Sequence, residues 1–262
     1  MTIIDDRRKA LLERVREYGG PLNEPAVFVQ FMAQVMHESG GLRYVREIWG
    51  PTKAQARYEG RKDLGNVKAG DGKRYMGRDV IQITGRANYR ALSKWAGFDF
   101  EAKPEALEAK EWLGIGAIWY FLQARPKLIQ YCRDGNIEMV TRQVNGGLNG
   151  YADRLKWYDD AALKILGFGS IRAFQENAGL VVDGISGPKT RAAMHKALSA
   201  VKVTPAEPQK KPAQVQKPSP QSPPAKTTKG PSTAILAALL AGGGYLAAKW
   251  DEFWLWAASL IN

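Results

Sequence analysis

Two glutamates stand in a pattern that could carry out acid–base chemistry. Glu38 ends an apolar run, and Glu47 follows nine positions later, beyond the glycine pair at 40–41. A carboxyl held against apolar groups is hard to ionise, whereas a carboxyl beside basic groups stays ionised. A protonated carboxyl facing an ionised one is the equipment of glycoside hydrolysis. The spacing alone leaves a second interpretation open, in which Glu38 is a helix-end residue and Glu47 an ordinary surface acid.

A helix predicted over residues 27–36 must position Glu38. Its apolar residues recur at the spacing of one helix face: Phe28, Phe31, Met32 and Val35. We therefore expect one apolar face, with Glu38 on or near it, and the glycines at 40–41 end the helix. Arg43 and Arg46 precede Glu47, so we expect the carboxyl of Glu47 to remain ionised.

The remaining periodicity is mostly helical. Apolar residues at helical spacing predict helices at residues 1–18, 51–58, 104–124, 136–144 and 151–166, the third being a single core helix. Residues 59–78 are rich in glycine and charge and predict a surface loop. Since strand signals are few, the predicted fold class is mainly α.

A short segment at residues 80–83 carries further polar candidates. It predicts an extended stretch, and a helix is expected from Asn88 to Trp95. Gln82, Thr84 and Asn88 could point into a cleft, or they could be turn and cap residues.

The amino-acid composition limits the kinds of molecule that this protein is expected to bind. The 262 residues carry a net charge of +12, which favours a polyanion such as nucleic acid, anionic lipid or an acidic wall polymer. No nucleic-acid-binding motif is present, so we expect no nucleic-acid partner. Cys132 is the single cysteine, and His37 and His195 are the only histidines. A His-based zinc centre is therefore not expected, and we predict no metal or cofactor.

Several motifs occur in the order seen in glycoside hydrolase family 19, which includes plant-type chitinases and many phage endolysins. They are His37-Glu38-Ser39-Gly40-Gly41, residues 77–89, Val144-Asn145-Gly146-Gly147 and Asp153-Arg154. The chain resembles an endolysin of that family. The resemblance implies a lysozyme-like, two-lobed helical fold and an inverting mechanism, with Glu38 as general acid, Glu47 as general base and Thr84 holding the water. It also implies substrate-binding or carboxylate-orienting residues: His37, Gln82, Asn88, Asn145 and Arg154.

The chain departs from the plant pattern in ways that bear on the substrate. Only eight residues separate the two glutamates, as in the shorter bacterial and phage members. Ala87 and Asn149 stand where plant members usually have aromatic and acidic residues. We therefore expect the sugar subsites to differ, which fits peptidoglycan better than crystalline chitin.

A second module follows the catalytic domain expected at 1–166. In residues 167–199 a helix ends near Gly179, a turn passes Asp183-Gly184, and a second helix starts at Pro188. This pattern resembles about half of the helical peptidoglycan-binding module found beside many wall hydrolases. The segment could bind peptidoglycan or could be a packed remnant, and its presence favours peptidoglycan over chitin.

The last two segments differ in composition. Residues 200–231 are rich in proline and lysine, and we expect a disordered linker. Residues 232–262 contain an apolar stretch followed by Trp250, Phe253, Trp254 and Trp256. The stretch at 233–248 would reach about 24 Å as a helix, short of a hydrocarbon core of about 30 Å. We expect a membrane-associated helix, spanning or interfacial, and a helix packed on a partner protein is the alternative.

These features predict a monomeric endolysin that hydrolyses β-1,4 bonds of peptidoglycan. The charged N-terminus does not resemble a signal peptide. We therefore expect the protein in the host cytoplasm, tethered to the inner membrane, dependent on a holin or its own tail, and acting on the periplasmic wall. The rival functions are a chitinase of the same family and a non-catalytic wall-binding or virion structural protein.

Overall fold

The structure is a computed structural model that describes residues 2–201, and those residues are mainly helical. The α-helices in chain order are α1 (Ile3–Tyr18), α2 (Pro25–Glu38), α3 (Lys53–Ala56), α4 (Asp71–Arg74), α5 (Arg86–Ala96), α6 (Ile115–Trp119), α7 (Lys127–Arg133), α8 (Ile137–Asn145), α9 (Tyr151–Leu166), α10 (Ile171–Asn177) and α11 (Pro188–Ala200). Within this part of the chain, β pairing is limited to isolated bridges between Arg46 and Arg78 and between Arg78 and Ile83.

Helix α2 is the centre of the fold. Its predicted apolar face, formed by Phe28, Phe31, Met32 and Val35, is buried in the core, and its other faces are buried as well. Every residue from Pro25 to Met36 is buried, since the sequence is apolar on all sides of the helix. Its two buried glutamines have hydrogen-bond partners on other helices. Gln30 Nε2 donates to the Cys132 carbonyl at 3.0 Å, and Gln34 Nε2 donates to Thr141 Oγ1 at 3.2 Å.

The N-terminal helix follows from its own sequence. Thr2 caps α1, because its hydroxyl accepts from the Asp5 amide while the Asp5 carboxylate accepts from the Thr2 amide. Leu11, Leu12 and Val15 face inward as expected and join the core around α2. This capping box begins the helix at the residue after Thr2, close to the predicted start.

The prediction of one core helix at 104–124 is wrong. A 3₁₀ turn covers Pro104–Glu108, α6 starts only at Ile115, and a π-helical turn covers Tyr120–Ala124. Gly114 interrupts the run with φ +89°, and its amide donates to Asp79 Oδ1 at 2.6 Å. The buried carboxylate of Asp79 also accepts from the Ala117 amide at 3.0 Å. A distant side chain therefore determines where α6 begins.

Residues 59–85 form an ordered loop. A 3₁₀ turn (Lys62–Leu64) and α4 lie within the predicted surface loop, where Asn66 and Asp71 are buried. The extended stretch predicted at 80–83 is instead a turn, with φ +62° at Asp79 and +58° at Gln82, closed by the bridge between Arg78 and Ile83. Helix α5 then begins at Arg86, close to the predicted start.

The second segment packs directly on the first. Helices α10 and α11 occur where the sequence predicted them, with Gly179 (φ +64°) and Gly184 (φ +76°) in the connection. Their buried residues share one core cluster with residues of α2, α8 and α9: Ala26, Val29, Ala33, Ile137, Tyr158, Ala162, Leu163, Phe174, Met194 and Leu198. The position in front of α10 is occupied by α9.

The predicted linker (200–231) falls almost entirely outside the described residues, and the predicted membrane-associated tail (232–262) lies wholly outside them. Over residues 2–201, none of the helices combines the length and the apolar character that crossing a bilayer requires.

Candidate active site

Glu38 lies at the C-terminal end of α2 and is paired with an arginine from α9. Arg154 Nη2 donates to Glu38 Oε1 at 2.5 Å, and Arg154 Nη1 donates to Gln34 Oε1 at 2.5 Å. The Arg154 side chain is 0% exposed, whereas that of Glu38 is 21% exposed. We call Gln34, His37, Glu38, Asp153 and Arg154 the Glu38 cluster. The buried guanidinium holds the Glu38 carboxylate while leaving it accessible to solvent.

The prediction for the surroundings of Glu38 is therefore wrong. The sequence predicted a carboxyl against apolar side chains, but the structure places a buried guanidinium on it. Residue 38 is the last of the helix, and Arg154 comes from a helix far along the chain. Helix periodicity could not show this neighbour, because it describes contacts within one element only.

His37 is the second polar residue of the cluster. Its Nδ1 lies 2.7 Å from Asp153 Oδ2, and the same oxygen accepts from Trp157 Nε1 at 3.1 Å. Gly150 (φ +70°) precedes α9, and a Cβ at this position would come within 2.1 Å of the His37 ring. The imidazole therefore packs directly on the backbone at the start of α9.

Glu47 is held by neutral donors. Its Oε1 accepts from Gln55 Nε2 at 3.0 Å and from the Tyr58 hydroxyl at 3.3 Å, while Oε2 accepts from the Gly77 amide at 3.0 Å. Burial, followed by the negative charge of Glu47, raises the pKa of Tyr58. We call Glu47, Gln55, Tyr58 and Gly77 the Glu47 cluster.

The two arginines before Glu47 do not supply its partners. Arg46 pairs with Glu108 at 3.5 Å, and the Arg43 carbonyl accepts from Arg7. The expectation that these cations set the environment of Glu47 is wrong. Uncharged donors from residues 55–77 surround its oxygens instead.

The turn after Gly77 brings Gln82 and Thr84 next to the Glu47 cluster. A Cβ on Gly77 would come within 2.6 Å of Gln82 Oε1 and 3.3 Å of Thr84 Oγ1. Only a glycine lets both side chains lie this close to the amide that binds Glu47. Thr84 Oγ1 donates to the Gln82 carbonyl at 2.9 Å, and Gln82 Nε2 donates to the Asp79 carbonyl at 3.2 Å. Both side chains therefore also have the turn-stabilising role that the sequence left open.

Asn88 and Asn145 lie farther from these contacts. Asn88 Nδ2 donates to the Thr84 carbonyl at 2.8 Å, so its observed role is to tie the first turn of α5 to the preceding turn. Asn145 is the last residue of α8 and is exposed, before Gly146 at φ +78°. Among the described residues, the Asn145 side chain makes no hydrogen bond, which leaves its amide available to a ligand.

Three residues that the sequence did not single out support the site. Gln34 holds Arg154, and Asp153 holds His37. Asp79 anchors the turn that carries Gln82 and Thr84. Burial raises the pKa of Asp79 to about 6, although backbone amides donate to it. A polar residue inside an apolar run is a signal for Gln34. Asp79 and Asp153 carried no signal beyond their places in the motifs.

No metal site is apparent in the part of the chain described. Between residues 2 and 201, no three His, Cys, Asp or Glu side chains are grouped so that they could hold an ion.

Comparison with known proteins identifies the catalytic family. A Haemophilus influenzae protein described as a glycosyl hydrolase family 19 domain-containing protein is 35% identical over 156 residues, which cover 49% of this chain and 74% of the relative. This chain belongs to glycosyl hydrolase family 19. It is a glycoside hydrolase, as the sequence predicted, and the motif resemblance is confirmed.

Other relatives of this family 19 enzyme are chitinases. The endochitinase CHI of Arabidopsis thaliana is 27% identical over 139 residues, covering 52% of this chain and half of the plant protein. Among solved structures, a family 19 class IV chitinase from Zea mays matches with a TM-score of 0.45 and 22% identity, covering 62% of this chain and 80% of that one. A family model described as "Putative peptidoglycan binding domain" matches residues 169–194. That match spans α10 and the first part of α11.

Proposed function

We propose that this family 19 enzyme is an endolysin, a peptidoglycan hydrolase that cleaves β-1,4 bonds between N-acetylated amino sugars and so lyses the bacterial wall. The observation that carries the proposal is the combination of a family 19 catalytic chain with a peptidoglycan-binding-type segment at 169–194. The net charge of +12 suits an anionic wall polymer. The match to the binding-domain model makes peptidoglycan the preferred partner.

The reaction follows from two carboxylates in different surroundings. Glu38 protonates the glycosidic oxygen, and the carboxylate then left on Glu38 is stabilised by Arg154. Glu47 takes a proton from water, held for this by three neutral donors. Inversion places the two carboxyls about 6.5–9.5 Å apart, with a water between them.

The residues around the carboxylates position water and sugar. Thr84 donates its hydroxyl proton to the Gln82 carbonyl, so its lone pairs remain free to accept from the attacking water. His37 and Asn145 are accessible beside Glu38 and at the end of α8, where they can bind sugar substituents. Gln82, Asn88 and Arg154 act mainly by orienting the turn and the Glu38 carboxylate.

The cellular role extends the same proposal. The enzyme resides in the host cytoplasm as a monomer, tethered to the inner membrane by residues 232–262, and reaches the periplasmic wall through a holin or its own tail. The apolar and aromatic composition of that tail supports the tether.

The deciding experiment is mass spectrometry of soluble products from purified Gram-negative sacculi, with the full-length wild type beside Glu38→Gln. We expect muropeptides with new reducing sugar ends from the wild type, and a loss of at least about 100-fold in the variant, because it has no acid to donate. Glu105→Gln, at an exposed glutamate away from both clusters, should match the wild type. Peptide products from intact glycan would contradict the proposal.

The plant relatives favour a second function, chitin hydrolysis. The chain spans about half the length of these plant enzymes. Release of sugars from chitooligosaccharides, with sacculi left intact, would support this alternative. Binding to sacculi without cleavage of either substrate would instead support a non-catalytic wall-binding or structural protein.

A further inference from the structure

We propose that Gln34 is a positioning residue for Glu38: it holds Arg154 through an uncharged contact, so that the guanidinium keeps its full charge for the Glu38 carboxylate. This inference rests on the proposed role of Glu38 as general acid. It gives a reaction role to a buried residue that touches no substrate.

The contacts fix Gln34 in one orientation. Gln34 lies one helical turn before Glu38 on α2, and its side chain is 0% exposed. Arg154 can only donate hydrogen bonds, so the amide oxygen of Gln34 must face it, at 2.5 Å from Nη1. The amide nitrogen then donates to Thr141 Oγ1 at 3.2 Å, and Thr141 is equally buried. The Gln34 amide is therefore held from both ends, and Arg154 is held with it.

Glu38 is the single carboxylate among the contacts of Arg154 in the described chain. The other contacts of Arg154 are neutral, namely the Gln34 amide and, at 3.5 Å, the Asn149 carbonyl. When Glu38 gives up its proton, the new carboxylate forms beside a fixed and undivided positive charge. A carboxylate at position 34 would compete for that charge.

Besides Arg154, the charged and titratable groups around Glu38 include His37 and Tyr120. His37 comes from the same helix and is paired with Asp153 of α9. From the π-helical turn after α6, Tyr120 donates to the Gln143 carbonyl at 3.2 Å, and the Arg125 guanidinium lies 5.7 Å from the centre of the Tyr120 ring. Burial raises the pKa of Tyr120, and the charges of Arg125 and Glu38 act on it in opposite directions.

The first test compares Gln34→Met with Gln30→Met in the full-length protein. Both remove a buried glutamine amide from α2, one turn apart, but the Gln30 amide binds the Cys132 carbonyl and is not linked to Arg154. The assay measures reducing-end release from whichever substrate, sacculi or chitooligosaccharide, the wild type cleaves. We expect Gln34→Met to lower kcat by about 10- to 100-fold with KM changed less than about twofold, because a misplaced acid costs rate and not binding. Gln30→Met should stay within about twofold of the wild type in kcat.

The second test is the pH–rate profile of Gln34→Glu. In this variant two carboxylates share Arg154, which makes the charged form of Glu38 less favourable. The alkaline limb of the pH–rate profile should therefore move to higher pH, by about 0.5 to 1 unit. Gln34→Met adds no charge and should leave that limb in place while lowering kcat. If Gln34 only maintained the fold, Gln34→Glu would not shift the alkaline limb while Gln34→Met lowered kcat without shifting it.

Thermal unfolding of each variant distinguishes loss of fold from loss of positioning. If neither Gln34 variant folds, Thr141→Val decides, because it frees the Gln34 amide without touching Arg154, and it should lower kcat several-fold. Wild-type kcat in a folded Gln34→Met or Thr141→Val, or an unmoved alkaline limb in a folded Gln34→Glu, would overturn the proposal. Full activity of Glu38→Gln would instead reject the acid role of Glu38 in the proposed function.

Discussion

At the scale of single residues, Asp79 shows how a buried charge serves the site without touching substrate. Its carboxylate accepts from the amides of Gly114 and Ala117 at the start of α6. Its own backbone has φ +62°, which starts the turn carrying Gln82 and Thr84. Because the side chain is fully buried, its pKa is raised to about 6 from 3.8. The turn that carries the proposed water-holding hydroxyl therefore depends on a titratable anchor.

The raised pKa of Asp79 predicts that the stability of the protein depends on pH. Since the folded-state pKa of Asp79 lies above its unfolded value, the folded state binds the proton more tightly between pH 3.8 and about 6. The free energy of unfolding should therefore fall as pH rises through that window, by up to about 3 kcal/mol. Urea unfolding of the wild type and Asp79→Asn at pH 4 and pH 7 measures the effect, since the difference between them isolates Asp79.

The comparison with Asp79→Asn is necessary because a second buried acid, Asp159, titrates in the same pH range. Burial raises the pKa of Asp159 to about 6, partly offset by the Ser186 hydroxyl that donates to it at 2.7 Å. Asp159 titrates in both proteins and therefore cancels in the difference. Parallel stability curves for the wild type and Asp79→Asn would contradict the assignment to Asp79.

At the scale of elements, α9 carries one side of the site. Its first turn supplies Asp153 and Arg154, and residues farther along contact α2 and the segment formed by α10 and α11. Gly150 and Gly167 flank the helix with φ +70° and +78°. A Cβ at Gly150 would overlap the His37 ring, whereas a Cβ at Gly167 meets nothing within 4 Å.

These two glycines form a matched pair for mutation. Gly167→Ala should cost about 1–2 kcal/mol of stability through backbone strain alone, with activity unchanged. Gly150→Ala adds the displacement of His37, and we expect a further loss of stability together with a fall of about tenfold or more in kcat. Thermal unfolding and steady-state kinetics of both variants provide the test. Equal effects of the two substitutions would show that the packing of His37 on Gly150 has no role in catalysis.

At the scale of the whole molecule, the segment at 167–199 is part of the core. Phe174, Met194 and Leu198 are buried against α2, α8 and α9. Met194→Ala should therefore lower the stability of the catalytic helices as well, by about 2–5 kcal/mol, in a single unfolding transition. Calorimetry compares it with Lys196→Ala on the exposed side of α11, which should have little effect. A separate low-temperature transition for residues 167–199 would contradict the shared core.

The C-terminal tail, residues 231–262, is expected to determine where the whole molecule is located. Deleting residues 231–262 should leave the cleavage of purified sacculi intact but release the protein from membranes on fractionation. The expected reason is loss of the apolar and aromatic stretch that seats the chain in the bilayer. Continued sedimentation of the shortened protein with membranes would exclude the tail as the anchor.

The sequence by itself determined the helices whose ends are set locally. The Thr2–Asp5 capping box begins α1, Gly150 and Gly167 flank α9, and Pro188 begins α11, each through a signal within a few residues of the helix end. The motifs likewise identified the family and the candidate carboxylates, since catalytic residue types recur at characteristic spacing.

Only the tertiary structure decided which groups surround those carboxylates. Arg154 meets Glu38 across 116 positions of chain, and Asp79 sets the start of α6 from 35 positions away. Such contacts depend on how helices pack, and neither periodicity nor spacing within one element encodes them. For the same reason, the sequence placed Glu38 among apolar groups and Glu47 among arginines, whereas folding gave each carboxylate different partners.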